Sequence, residues 1–172
     1  MLKEVEQIEH IAQEFMSLAR PTVPMMTLCD LNNLMEDVSN LMQNWAFNGE
    51  ISVIKELSPL PPMVQADPGQ LRQVAVNLLK NAIEACPGKG QVVLKTKITG
   101  NKAIFQVLDN GEGFPADIHD KLGTPFFTTK ENGTGLGLTV CFRIIQNLGG
   151  SLELDSRPHQ GTTVTVTLPY VK

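Results

Sequence analysis

Residues Asp109–Leu138 read DNGEGFPADIHDKLGTPFFTTKENGTGLGL, and the rest of the chain is interpreted outward from them. Gly111, Gly113, Gly123, Gly133, Gly135 and Gly137 fall in this stretch, in spaced clusters around Pro125-Phe126-Phe127-Thr128-Thr129-Lys130. Glycine costs conformational entropy on folding, so a packed domain concentrates it where backbone turns left-handed or approaches a ligand closely. A glycine-flanked loop that carries Thr and Lys and runs into a helix start suits phosphate binding. The competing reading is two Asn-Gly turns in a surface loop. Glu112-Gly113-Phe114-Pro115, which follows the first Asn-Gly, is no returning strand and weighs against a hairpin there.

The 172 residues suit one domain with a short appendage, and 42% apolar with 19% charged residues describes a globular chain with a core. A net charge of −4 and the lack of any Lys/Arg run argue against nucleic acid as a partner. Cys29, Cys86 and Cys141 are widely spaced, which fits a reducing compartment and neither a disulfide framework nor a zinc site. No apolar run reaches membrane-spanning length, so a cytoplasmic domain without direct membrane contact is expected, whether or not a parent protein is anchored.

Residues 3–19 space Ile8, Ile11, Phe15 and Leu18 as an amphipathic helix ended by Pro21 and Pro24. It is either one arm of a helical hairpin or dimer, or a helix docked on its own domain. Asp30 is placed to cap a second helix whose stripe of Leu31, Leu34, Met35, Val38, Leu41, Met42 and Trp45 reads as core up to Asn48-Gly49. Ile51–Leu57 and Met63–Ala66 read as strands. Asp67-Pro68 then starts a helix running to about Cys86. One of its faces is apolar (Leu71, Val74, Ala75, Leu78, Ala82, Ala85), and the other aligns Gln73, Asn77, Asn81 and Glu84. Asn is a poor mid-helix residue, so two of them one turn apart suggest a pocket that uses amide side chains. Strands at Gln91–Thr99 and Lys102–Leu108, a helix at Leu136–Leu148 and strands at Ser151–Asp155 and Thr162–Leu168 complete the chain. This order predicts an α+β fold, a two-layer sandwich with a mixed, mostly antiparallel sheet covered on one face by helices.

Most standard sites are absent. There is no G-x-x-x-x-G-K-[ST], no H-E-x-x-H, no G-x-S-x-G, and no protein-kinase H-R-D or D-F-G loop. What remains is a nucleotide site of another kind. Asp109 follows a strand and would sit at the sheet's end, where a carboxylate can accept from an exocyclic amine such as adenine's. Asn132-Gly133 leads into a helix whose free N–H groups can meet phosphate oxygens. Asn81 offers a neutral oxygen to Mg²⁺, which keeps several waters and needs few protein ligands.

These residues resemble a known family. NLLKNAIEA (Asn77–Ala85) is similar to the N box of the GHKL ATP-binding superfamily, DNGEGF (Asp109–Phe114) to its first glycine box, and PFFTTK (Pro125–Lys130) to its phenylalanine box. GTGLGL (Gly133–Leu138) resembles the second glycine box, and Gly161-Thr162 the final Gly-Thr. The fold implied is the Bergerat α/β sandwich. Within the superfamily, NAIEA and the short TTKENGTGLGL lid look like sensor histidine kinases of the sporulation and nitrogen-regulation branch. Residues 1–24, ending near EFMSLARP, resemble the second helix of that family's dimerisation and phosphotransfer hairpin plus linker, leaving 25–172 as the catalytic domain.

The resemblance implies ATP and Mg²⁺ as ligands, with Asp109 on the adenine amine, Thr162 supporting the base through water and Asn81 on the metal. Asn77 would lie beside Asn81 and Lys130 would contact the terminal phosphate, making Asn77, Asn81 and Lys130 the catalytic set. Gly111 and Gly113 would serve the base. Phe127, Thr128 and Thr129 of the lid would complete the nucleotide contacts, together with Gly133, Thr134, Gly135, Leu136, Gly137 and Leu138 at the hinge and helix start. Glu84 stands where many members carry Lys or Arg. The family's phosphoacceptor is His followed by Glu or Asp. His10 is followed by Ile11-Ala12, so the acceptor is expected on a hairpin outside this chain, with a response regulator reached indirectly. Related ATPases place a water-activating Glu four residues before the metal-binding Asn. That place is Asn77, and an amide is no general base. A slow ATPase and a serine-kinase or anti-sigma-type nucleotide switch are therefore the alternatives to a histidine kinase.

Overall fold

The computed structural model describes residues 24–115, 118, 121–130 and 133–172. The helix expected at residues 3–19 lies outside them, as do His10 and His119. The elements run β1 (Thr27–Asp30), α1 (Leu31–Leu41), α2 (Gln43–Asn48), β2 (Ser52–Glu56), β3 (Met63–Ala66) and α3 (Pro68–Ala85), followed by β4 (Gln91–Thr99), β5 (Lys102–Asp109), α4 (Gly137–Asn147), β6 (Ser151–Arg157) and β7 (Gly161–Pro169).

Five strands form one sheet in the order β2-β4-β5-β7-β6, with β2 and β4 parallel and every other pair antiparallel. Successive side chains of a strand point to opposite faces, so register decides which residues share a face. One face is built of rows: Thr96, Phe105, Val166 and Leu152 stand side by side, and next to them Leu94, Val107, Val164 and Leu154. Phe105 and Val166 are fully buried there. The alternate positions, such as Lys95, Gln106 and Thr165, form the opposite face, where Gln106 Nε2 donates to Thr165 Oγ1 at 2.8 Å. Helices α1, α3 and α4 cover the apolar face, which is the mixed two-layer arrangement expected from the order of elements.

Helix α3 starts as its sequence predicts. Pro68 occupies the first turn and the Asp67 carboxylate accepts from Gln70 N at 3.0 Å. Leu71, Val74, Ala75, Leu78, Leu79, Ala82 and Ile83 are buried, a wider stripe than the one read from the sequence because α3 lies between neighbouring helices and the sheet. The long core stripe expected after Asp30 is corrected. The helix breaks at Met42 into α1 and α2, and Leu41 and Trp45 are 54% and 50% exposed. The break changes the helical phase, so Trp45 leaves the core and its ring receives the Lys80 ammonium, 5.4 Å from the centroid. The sequence reading also missed β1, whose four residues pair antiparallel with β3 in a separate two-stranded sheet. Among the described residues no helix is long and apolar enough to cross a membrane.

Candidate nucleotide site

The apolar face of the sheet turns polar at one end. Asp109, the last residue of β5, lies in a row with Val92, Thr162 and Ser156. Its Oδ1 accepts from Gly111 N at 2.9 Å and from Thr162 N at 3.2 Å. Among the described residues no donor reaches Oδ2, so this half-buried carboxylate keeps a free acceptor, and Asp109 lines a cavity. Burial pushes its pKa above the usual carboxylate range, while the two backbone N–H bonds and then the Lys130 ammonium pull the other way. A half-buried carboxylate with an unengaged oxygen on a cavity wall fits a ligand that brings an N–H donor.

Ser156 organises the same row and was missed from the sequence. Its buried hydroxyl accepts from Phe114 N at 2.8 Å, donates to Gly161 O at 3.2 Å and lies 2.9 Å from Thr162 Oγ1. Only strand register places it beside Thr162; the one signal in the sequence was a Ser in a strand otherwise apolar on that face. Ser156→Ala leaves the Phe114 N–H without its partner. The variant should lose about 1–3 kcal/mol of stability. In urea titration this appears as a lower midpoint at unchanged slope; an unchanged midpoint would remove the hydroxyl from this role.

The loop after Asp109 is pinned to the protein. Glu112 N donates to Ala85 O at 3.1 Å, and His159 N donates to Glu112 O at 2.7 Å. Gly111 sits so close to the end of α3 that a Cβ would stand 2.4 Å from Ala85 O, and Gly113, at φ +61°, would bring one to 2.0 Å from Arg157 O. Neither glycine lines the cavity, nor does buried Leu136. The close approach that these two glycines permit is therefore to the protein's own backbone.

Helix α3 supplies the facing wall. Asn77, Asn81 and Glu84 line the cavity, as the spacing of three and four on one helical face requires. Asn77 Nδ2 donates to Gly137 O at 3.4 Å, tying α3 to the first turn of α4. Lys130 reaches across from the loop, its Nζ donating to Asn81 Oδ1 at 3.2 Å and pairing with the Glu84 carboxylate. An ammonium thus already sits at the oxygen expected to meet a metal, so the position accepts a cation. Among the described residues there is no cluster of three His, Cys, Asp or Glu that could hold a metal without help from a ligand.

The segment from Pro125 to Gly135 is closed at its base, where Phe126 N donates to Gly135 O at 3.2 Å. Gly135 has φ +68° and no room for a Cβ, which would meet the Phe126 carbonyl carbon at 2.4 Å. Phe127, Thr128, Thr129 and Lys130 face the cavity together with Gly133, Thr134 and Gly135. Gly137 and Leu138 of the first turn of α4 line it too, and among the described residues no side chain caps that helix. Free N–H groups and the positive end of the helix dipole suit an anion. The whole cavity has a volume of about 800 Å³, within the usual span for ligand pockets. Its apolar walls add Phe114, Leu122, Leu154 and Val164. Lys80 also lines it.

The cavity therefore joins an acceptor at the sheet end to a cation position on α3 and an uncapped helix start, with Thr162 against the base end. The family described as histidine kinase-, DNA gyrase B- and HSP90-like ATPase matches residues 66–172. Sporulation kinase D of Bacillus subtilis (strain 168) is 35% identical over 169 residues, which cover 97% of this chain and 33% of that relative. The chain thus spans about a third of that relative's length. The nucleotide-free catalytic domain of histidine kinase ThkA superposes with a TM-score of 0.78 at 32% identity, covering 84% of this chain and 95% of that one. ThkA in complex with response regulator protein TrrA gives a TM-score of 0.85 at 27% identity, over 99% of this chain and 49% of that one. The chain belongs to the histidine kinase-, DNA gyrase B- and HSP90-like ATPases and is a nucleotide-using catalytic domain of the histidine kinase kind.

Proposed function

We propose that residues 25–172 bind ATP with Mg²⁺ and transfer the γ-phosphate to a histidine on a helical hairpin outside these residues. The observation that carries this reading is the single cavity shared by Asp109, Asn81 and Lys130. Asp109 Oδ2 accepts from the adenine amine, with Thr162 beside it to support the base. Asn81 Oδ1 would hold the metal, which would supply neutralisation of phosphate charge. Lys130 contacts the terminal phosphate, and the start of α4 at Gly137 and Leu138 receives the remaining phosphate charge. Phe127, Thr128 and Thr129 lie over the nucleotide, with Gly133 and Gly135 as the hinge of that lid. Catalysis then rests on positioning and on preorganised charge.

Asn77 separates this reading from an ATPase. A hydrolase needs a group there that takes a proton from water, and an amide tied to Gly137 O takes none. The γ-phosphate is spared for the imidazole. The response regulator is reached from the phosphorylated hairpin, not from this domain.

The test mixes the protein with radiolabelled ATP, Mg²⁺ and a purified hairpin from a related kinase. Acid-labile phosphate should appear on the hairpin histidine and on none of His10, His119 or His159. Rapid phosphate release to water with no labelled hairpin would favour an ATPase instead.

A further inference from the structure

The lid lysine is already engaged on α3. Asn81 and Glu84 stand three residues apart on one face of α3, where side chains are neighbours. The Asn81 amide oxygen and the Glu84 carboxylate both receive the Lys130 ammonium, which has three donors to give. The backbone that aims Lys130 is built for the purpose. Lys130 N donates to Thr128 Oγ1 at 3.1 Å, and Gly133 N donates to Lys130 O at 3.2 Å. A Cβ on Gly133 would stand 2.3 Å from Thr128 Oγ1, the atom that accepts from Lys130 N, so a side chain at 133 would disturb that bond.

We propose that Glu84 is a positioning residue for the lid: with Asn81 it holds Lys130 against α3, and Lys130 must leave that pair to reach a phosphate. The inference rests on the reading above, in which Lys130 contacts the terminal phosphate and Asn81 the metal. One ammonium cannot occupy the Asn81 oxygen while a metal does, so loading the site and releasing the lid are the same event. A carboxylate beside the phosphates is otherwise a repulsive choice, and its pairing with Lys130 accounts for it. The two side chains are 39% and 32% exposed, so solvent screens the pair. An effect of about fivefold is the ceiling for such a pair.

The experiment compares the wild type with Glu84→Gln, Lys130→Gln and the double variant in two measurements. Hydrogen exchange of the lid amides in nucleotide-free protein should quicken up to about fivefold in Glu84→Gln. In the Lys130→Gln background, adding Glu84→Gln should change nothing. Calorimetry with a non-hydrolysable ATP analogue and Mg²⁺ should show Glu84→Gln binding up to about fivefold tighter, again only when Lys130 is present. An equal gain in both backgrounds would overturn the proposal in favour of bare repulsion between Glu84 and phosphate. Lid exchange indifferent to Glu84 would overturn it as well. A wild type that binds no analogue would sink the functional reading instead, and the exchange measurement, made without nucleotide, would still decide the latch.

Discussion

Asp109→Asn is expected to weaken adenine nucleotide binding on the order of 100-fold while the domain stays folded. Asn can keep the two bonds that matter to the fold, because its Oδ1 still accepts from Gly111 N and Thr162 N. The atom that changes is the one facing the cavity. Oδ2, an acceptor, becomes an NH₂ donor and meets the adenine amine, another donor. An interaction worth about 2–3 kcal/mol to a charged acceptor is replaced by a conflict. The stability side has its own sign. Burial raises the Asp109 pKa above that of the unfolded chain, so the folded state holds the proton more tightly. Stability attributable to this group therefore falls as pH rises from the usual carboxylate range through the raised value, and the cost of the buried charge persists at neutral pH. Removing that charge should leave the melting temperature unchanged or higher. Binding runs the other way with pH, since only the ionised form accepts on both oxygens. Wild-type affinity should drop on acidification at a higher pH than an ordinary aspartate would dictate. Calorimetry across that range checks both halves, and an Asn variant of wild-type affinity would remove Asp109 from the site.

Gly161→Ala should be among the most damaging single methyl additions in the chain's site region. Gly161 opens β7 at φ +83°, a conformation that costs an L-residue about 1–2 kcal/mol. Its Cβ would also stand 1.9 Å from Asp109 O and 2.9 Å from Asn110 Cα, backbone atoms held by the sheet. Strain and clash together should cost roughly 3 kcal/mol, or about 10 °C in melting temperature for a domain of this size. Because the displaced carbonyl belongs to Asp109, nucleotide affinity should fall as well. Gly100→Ala is the control: Gly100 has φ +60° with nothing within 4 Å, so only the conformational cost applies. Equal melting temperatures for the two variants would show that the crowding at Gly161 relaxes freely.

Much of the site was legible because its parts carry local signatures. The Asp67-Pro68 start set the phase of α3, and the spacing of Asn77, Asn81 and Glu84 then aligned them on one face, as observed. The glycines at 133 and 135 marked a tight segment, and the structure crowds both against Thr128 and Phe126. Other parts were illegible for equally definite reasons. The stripe from Leu31 to Trp45 has an unbroken helical period, and no residue at Met42 announces the break that exposes Trp45. Four residues of β1 are too few to show alternation, and they are a strand only because β3 lies alongside.

The chain alone determined the order of most elements, the polar and apolar faces of α3 and the clustering of glycines after Asp109, all of which depend on neighbours a few residues away. The tertiary structure alone decided the rows of the sheet, where residues 47 and 53 apart in sequence, Ser156 and Thr162 with Asp109, become one polar edge. It also decided what Gly111 and Gly113 are for, since their crowding comes from α3 and β6 and not from the loop itself. Likewise it gave Glu84 its partner, because an ion pair spanning 46 residues exists only once the lid is folded over α3. Local chemistry is written along the chain; contacts between distant strands and loops depend on register and packing, which no short stretch contains.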